Sequence, residues 1–217
     1  MKFDNTPTSD GGSYEKPAPG KYLGVLVGFC YVGIQPGNGQ YSPRAQVMLR
    51  WELHKRKGPS KDSKGFVHTQ TATFGATVRG ENSKLRKALE AHGIDIPEGG
   101  QTQSEDWLGK AAWLDLELSD NEKYVNVGNI SKLDPDDDTA PAPELPFEHW
   151  AGEPNEGLCP SWAAWAVSKS TDLKDRAPAW AGGGGSGQRS TNASGNGAAV
   201  GAGVGGGGVE DDGEIPF

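Results

Sequence analysis

The chain has 217 residues, of which 34% are apolar, and it contains 33 glycines and 15 prolines, so much of it is not packed core. Its formal charge of −8 averages two unlike parts: residues 1–133 carry 17 Lys and Arg against 15 Asp and Glu, whereas residues 134–217 carry 4 against 14. The acidity that would argue against a nucleic-acid binder therefore sits outside the first part, while the lack of any apolar run of ~18 residues argues against a membrane-spanning helix.

Residues 1–20 are polar and rich in Pro and Gly, as in a flexible lead-in. Residues 21–32 are apolar on both parities and interrupted by Gly24 and Gly28, the pattern of a long strand that bends or bulges. Turn residues dominate 33–43, including Pro36, Gly37, Asn38 and Gly39. Residues 45–53 then alternate, with Ala45, Val47, Leu49, Trp51 and Leu53 on one face and Gln46, Met48, Arg50 and Glu52 on the other, which predicts a second strand with an obvious inner face.

Lys55, Arg56, Lys57, Lys61 and Lys64 surround Gly58-Pro59 in a basic hairpin loop, and the Thr-rich stretch 66–78 is the expected third strand. Asn82-Ser83 can cap a helix over 84–92, with Leu85, Ala88 and Leu89 on one side and Gly93 as the stop. Alternation returns at Ala112, Leu114, Leu116 and Leu118, followed by 124–130; these are the expected strands four and five. The order β-β-β-α-β-β within residues 21–133 is that of an OB-fold, a five-stranded barrel with one helix between strands three and four that often binds oligonucleotides.

A single-strand site needs cations along the backbone path and aromatic platforms for bases, each stack contributing about 1–3 kcal/mol. Lys55, Arg56, Lys57, Lys61 and Lys64 can contact phosphate from the basic loop, or form a solvated hairpin tip. Tyr41 and Arg44, on the loop between strands one and two, are similar candidates for contacting the strand, and Arg50 points away from the inner face. Trp51 reads as core. Trp113 and Tyr124 lie on more polar faces and can stack, although Asp115 and Glu117 would repel phosphate and Trp113 can instead pack beneath the later chain. Phe66, His68, Gln70 and Phe74 share one parity that faces either bases or core.

Residues 134–180 form an acidic, Pro-containing extension whose Trp162, Trp165 and Val167 either pack on the barrel or make a second partner motif. Residues 181–209 contain 13 glycines and read as a flexible linker, so a disordered C-terminal tail is expected. Treating 134–209 as flexible gives a reach of roughly 45–50 Å. The chain then closes on an acidic cluster and an apolar tip, Asp211-Asp212-Gly213-Glu214-Ile215-Pro216-Phe217. Phe217 combines a ring with an α-carboxylate, which suits capture in an apolar pocket rimmed by Arg or Lys. The alternative is a solubilising acidic tail, which does not need the apolar Ile-Pro-Phe.

That closing segment resembles the acidic tip of bacterial single-stranded DNA-binding proteins, and the resemblance covers the tip alone. Ser83-Lys84-Leu85-Arg86-Lys87-Ala88-Leu89, Trp107-Leu108-Gly109-Lys110 and Tyr124-Val125-Asn126-Val127 are similar to phage-encoded OB-fold single-stranded DNA-binding proteins. The resemblance implies binding and protection of single-stranded DNA without sequence preference in replication, recombination or repair. It also implies partners at Asp211, Asp212, Glu214, Ile215, Pro216 and Phe217 such as a polymerase, primase, helicase or nuclease, in the cytoplasm of a bacterium or phage-infected host. The tip is further expected to sample the barrel's own basic groove and to be displaced by DNA. Homo-oligomerisation is left open.

Enzymatic readings find little support. Asp134, Asp136, Asp137 and Asp138 could suggest a metal-dependent nuclease, but they are nearly consecutive beside Pro135 rather than fixed on separate rigid elements. His54, His68, His92 and His149 lack metal-site spacing, and Cys30 and Cys159 suggest no disulfide framework or paired-cysteine site, so no catalytic residue, metal or cofactor is expected. A strand-annealing recombination protein would share the same DNA site.

Overall fold

The computed structural model describes residues 15–37, 41–55, 58–97, 102–134 and 140–181. The fold is mainly β, with few helices. In chain order the main elements are β1 (Gly20–Gln35), β2 (Arg44–Lys55), β3 (Gly58–Pro59), β4 (Thr69–Gly75), α1 (Lys84–Ala91), β5 (Ala111–Leu118), β6 (Val125–Ser131), β7 (Glu148–Trp150) and α2 (Ala164–Ser168). The seven strands make one sheet of order β3-β2-β1-β5-β6, with β4 also pairing β2 and β7 pairing β1. Every ladder is antiparallel except β1–β7.

The five-stranded closed barrel expected from element order is not what these ladders form. Two short strands, β3 and β7, join the sheet, and no ladder connects β4 to β6 among the described residues. The gap between these two strands is bridged by a side chain: Gln70 Nε2 donates to Val125 O at 2.8 Å.

β1 is apolar on both parities because it is buried on both faces. Leu26 and Phe29 join Val47, Leu49, Trp51, Leu53 and Leu114 in the core beneath α1, while Val25, Val27, Cys30 and Val32 pack on the other side. The pairing register shifts between Leu26 and Gly28 and again between Tyr31 and Gly33, so of the two interruptions read from the sequence Gly28 marks an irregularity, while the ladder runs unbroken through Gly24. The two interrupting glycines permit close approach. A Cβ on Gly24 would stand 2.4 Å from Leu114 Cδ1, and one on Gly28 would stand 2.8 Å from Trp162 Cζ2.

α1 forms where its pattern required. Ser83 is the N-cap, its Oγ accepting from Arg86 N at 3.2 Å; Arg86 pairs with Glu90 one turn on; and Leu85, Ala88, Leu89 and Ala91 are buried. The helix ends at His92, followed by Gly93 at φ +72°. His92 is itself a core group. Its Nδ1–H donates to Ala88 O at 2.7 Å while Nε2 accepts from Trp51 Nε1 at 2.8 Å, an arrangement that only a neutral ring satisfies. Burial holds its pKa down to about 4.

Residues 140–181 are part of this same folded body. β7 lies parallel to β1, and the following turns and α2 place Trp150, Cys159, Ala163, Ala164, Ala166 and Val167 against Cys30, Val32 and Met48. Of the two readings of the Trp-containing extension, packing on the sheet is the one observed. The stretch treated as tether from residue 134 onward loses 42 residues, 140–181. Residues 182–209, the rest of the expected linker, lie outside the described residues. Of the expected lead-in, residues 15–20 are described: Pro17 is buried, and Tyr22 Oη donates to Ala18 O at 2.9 Å.

Candidate nucleic-acid interface

β2 separates the sequence-predicted residues into two groups. Arg44 begins the strand and Lys55 ends it, and twelve residues of extended chain span about 35 Å. Antiparallel pairing brings the start of β1, the end of β5 and the start of β6 to the Lys55 end, because Leu23 pairs with His54, Gly20 with Leu116, and Leu118 with Val125. Tyr41 and Arg44 lie at the opposite end.

The Lys55 end gathers three aromatic–cation pairs. Lys21 Nζ lies 4.8 Å from the Trp113 ring centroid, Lys16 Nζ 5.5 Å from Tyr124, and Lys55 Nζ 5.7 Å from Tyr22. Lys16 also donates to Lys123 O, while the Glu15 carboxylate accepts from Ser63 N at 2.9 Å. Residues 15 and 16 thus connect the basic hairpin to the turn before β6. The Ser63 backbone N–H, first among its causes, lowers the Glu15 pKa, and burial raises that of the Tyr22 phenol.

The hairpin beyond Lys55 presents its tip by local hydrogen bonding. Asp62 Oδ1 accepts from Lys64 N at 2.9 Å and Phe66 N at 2.8 Å, and below this turn His68 N donates to Ser60 O and Leu53 N to His68 O. Phe66 consequently stands 67% exposed, and Lys64 is exposed beside it. Tyr124 is 54% exposed and Trp113 is half-buried. Exposed π faces and ammonium groups therefore occur together at this end. Asp115, paired across the ladder with Lys21, and Glu117 keep the patch from being uniformly positive.

Three expected contacts are engaged within the fold. Arg50 does point away from the inner face, but Glu148 Oε2 accepts from its Nη1 at 2.9 Å, and the guanidinium lies 5.9 Å from the Trp162 ring centroid. Trp162 Nε1 donates to that same carboxylate oxygen at 2.9 Å. Lys61 pairs with Glu144 at 2.8 Å. Phe74, opposite Val47, packs edge-on to Trp51 at 6.4 Å, so its strand parity faces the core rather than bases. Gln70 shares that parity and bridges to β6, and buried His68 lies 3.0 Å from Ser60 Oγ. Phe66 escapes this pattern because β4 begins only at Thr69.

The extension that occupies Arg50 and Lys61 is anchored on a buried carboxylate. Glu52, fully buried, accepts from Glu144 N at 3.0 Å and Leu145 N at 2.8 Å. His54 Nε2 sits at ion-pair distance from it, 2.8 Å, without hydrogen-bond geometry. A polar outer face on β2 implies solvent when read from alternation alone; here it is the docking surface for residues 140–181.

At the opposite end, Arg44 lies over the exposed Tyr41 ring at 5.6 Å. A further pair there was missed. Trp165 is 58% exposed and has Lys169 Nζ 3.8 Å from its ring centroid. The legible signal was phase: Ala163, Ala164, Ala166 and Val167 turn inward, leaving Trp165 outside with Lys169 four residues on.

Arg56 and Lys57 lie outside the described residues, as do Asp136, Asp137 and Asp138 and the tip residues Asp211, Asp212, Glu214, Ile215, Pro216 and Phe217. No described helix is long and apolar enough to cross a membrane. No protein-family model and no curated protein matches the chain.

Proposed function

We propose that this chain binds single-stranded DNA without sequence preference and shields it during replication, recombination or repair. Its C-terminal residues Asp211–Phe217 recruit a polymerase, primase, helicase or nuclease. The observation that carries the reading is the gathering of Lys16 with Tyr124 and Lys21 with Trp113, beside exposed Phe66 and Lys64, at one end of the sheet. Each pair holds a π face and a positive charge within reach of one nucleotide. Bases stack on the rings regardless of identity, and the lysines meet phosphate.

The strand arrangement supports an OB-type scaffold for this work. The path β4-β2-β1-β5-β6, with α1 between β4 and β5 and Gln70 reaching Val125 across the gap, is the order in which such a barrel would be wound. Binding is a matter of stacking and charge and needs no bond-breaking residue.

Intrinsic tryptophan fluorescence, titrated with oligo-dT at low and high salt, tests the proposal. Quenching is expected, with affinity falling as salt rises. A titration showing neither quenching nor salt-dependent binding overturns it.

A further inference from the structure

Trp165 has no role in the site just proposed, yet the fold gives it a defined setting. The residues around it in and beside α2 are small and buried, while its own ring is more than half exposed under the Lys169 ammonium. α2 and the turn after it are pinned to the end of β1. Gln35 Nε2 donates to Ala166 O at 3.1 Å, Thr171 N to Ile34 O at 2.9 Å, and Ile34 N to Asp172 Oδ1 at 2.7 Å.

Gln35 is also the ladder partner of Arg44. Opposed residues in a ladder present their side chains on the same face, so Arg44 projects toward the side of the sheet that carries α2. Arg44 in turn lies over Tyr41. Two aromatic–cation pairs, one from the β1–β2 loop and one from the extension, are thereby held by the same strand end. Neither pair depends on the basic hairpin.

We infer that Trp165, Lys169, Tyr41 and Arg44 form a second stacking site for single-stranded nucleic acid, at the end of β2 opposite the first. This rests on the reading of the chain as a single-strand binder and extends it: a bound strand runs the length of the sheet, about 35 Å, and the folded extension contributes directly to the site. The chemistry matches the first end, with aromatic faces for bases and one Lys and one Arg for phosphate. The strand passes beside the segment where Glu148 and Trp162 cover Arg50.

The test uses the full-length chain, Trp165→Ala and Trp165→Phe, with two oligo-dT probes, one able to run the length of β2 and one about a third as long. Trp165 is exposed, so an unchanged thermal midpoint is expected and is checked first. Trp165→Ala should bind the long probe roughly tenfold more weakly and occupy fewer nucleotides per chain at saturation. The short probe should lose less, because the first end still holds it, and Trp165→Phe should recover most of the long-probe affinity.

Equal long-probe affinity and equal site size in the parent and Trp165→Ala overturn this inference while leaving the single-strand reading intact. A parent protein that binds neither probe overturns both. A Trp165→Ala variant that changes self-association but not DNA binding assigns the tryptophan to contact with a second copy of the chain, which also overturns the inference.

Discussion

The two faces of β2 are both buried, by different means. On the inner face, Val47, Leu49, Trp51 and Leu53 are covered by α1 and its neighbours through apolar contact, which is non-directional and tolerant of register. On the outer face, Met48 packs against the apolar residues of 140–181, but Arg50 and Glu52 are covered by that segment through directed bonds: Glu52 to two backbone N–H groups, and Arg50 to Glu148. Glu52 is as buried as Trp51. Burial alone therefore does not say what holds a surface down, and the difference predicts that damage to the inner face unfolds the whole molecule while damage to the outer face releases one segment.

The largest effect should come from Trp51→Ala. Removing a fully buried indole costs about 3–5 kcal/mol, and the change also leaves His92 Nε2 without its donor. Urea unfolding should show the loss as a global shift in midpoint. A loss confined to residues 140–181 would break the comparison.

Acid should act on the inner face next. The His92 pKa falls from an ordinary 6.5 to about 4 in the folded state because burial disfavours the charged ring, with the Ala88 carbonyl opposing. Between these values the unfolded chain binds a proton that the folded chain does not, so stability decreases as pH is lowered from about 6.5 toward 4. The full shift corresponds to about 3 kcal/mol. His92→Leu removes this titration; its stability–pH curve should lie flatter than the parent's across that window, and parallel curves would refute the assignment.

The smallest and most local effect is expected for Glu52→Gln. The amide retains one acceptor but turns a donor toward one of the two N–H groups, at a cost of about 1.5–3 kcal/mol. Hydrogen exchange should accelerate at the amides of Glu144 and Leu145 while those of α1 remain protected. Equal acceleration in α1 would mean that the two faces unfold as one unit.

Local pattern made much of the fold legible. Alternation in β2 identified the inner face, mixed parity with interrupting glycines in β1 marked a long strand that bends, and Ser83 with Gly93 bounded α1, because each of these signals acts within a few residues of itself. The extension was less legible. Trp162 and Trp165 announced an aromatic segment, but Gly28, Arg50 and Glu52, which receive or anchor it, lie about a hundred residues away. The candidate site divides in the same way. Tyr41, Arg44, Lys55 and Lys64 could be marked from residue type and position, whereas Phe66, read as the start of the third strand, stands outside it because β4 begins only at Thr69. The withdrawal of Arg50 and Lys61 into ion pairs, and of Phe74 into the core, depends on partners that adjacency does not reveal.

The amino-acid order by itself determined which segments extend, where α1 starts and stops, which face of β2 is apolar, and that lysines gather at the hairpin after β2. Propensity, capping and periodicity are short-range forces, and they read out locally. Only the tertiary structure decided that the ladders leave β4 and β6 joined by a side chain rather than a strand pair, that an acidic segment covers Arg50, and that α2 is pinned to the end of β1 with Trp165 exposed. Those outcomes depend on which distant groups desolvate one another. A buried carboxylate such as Glu52 is tolerable only once Glu144 and Leu145 have arrived to donate to it.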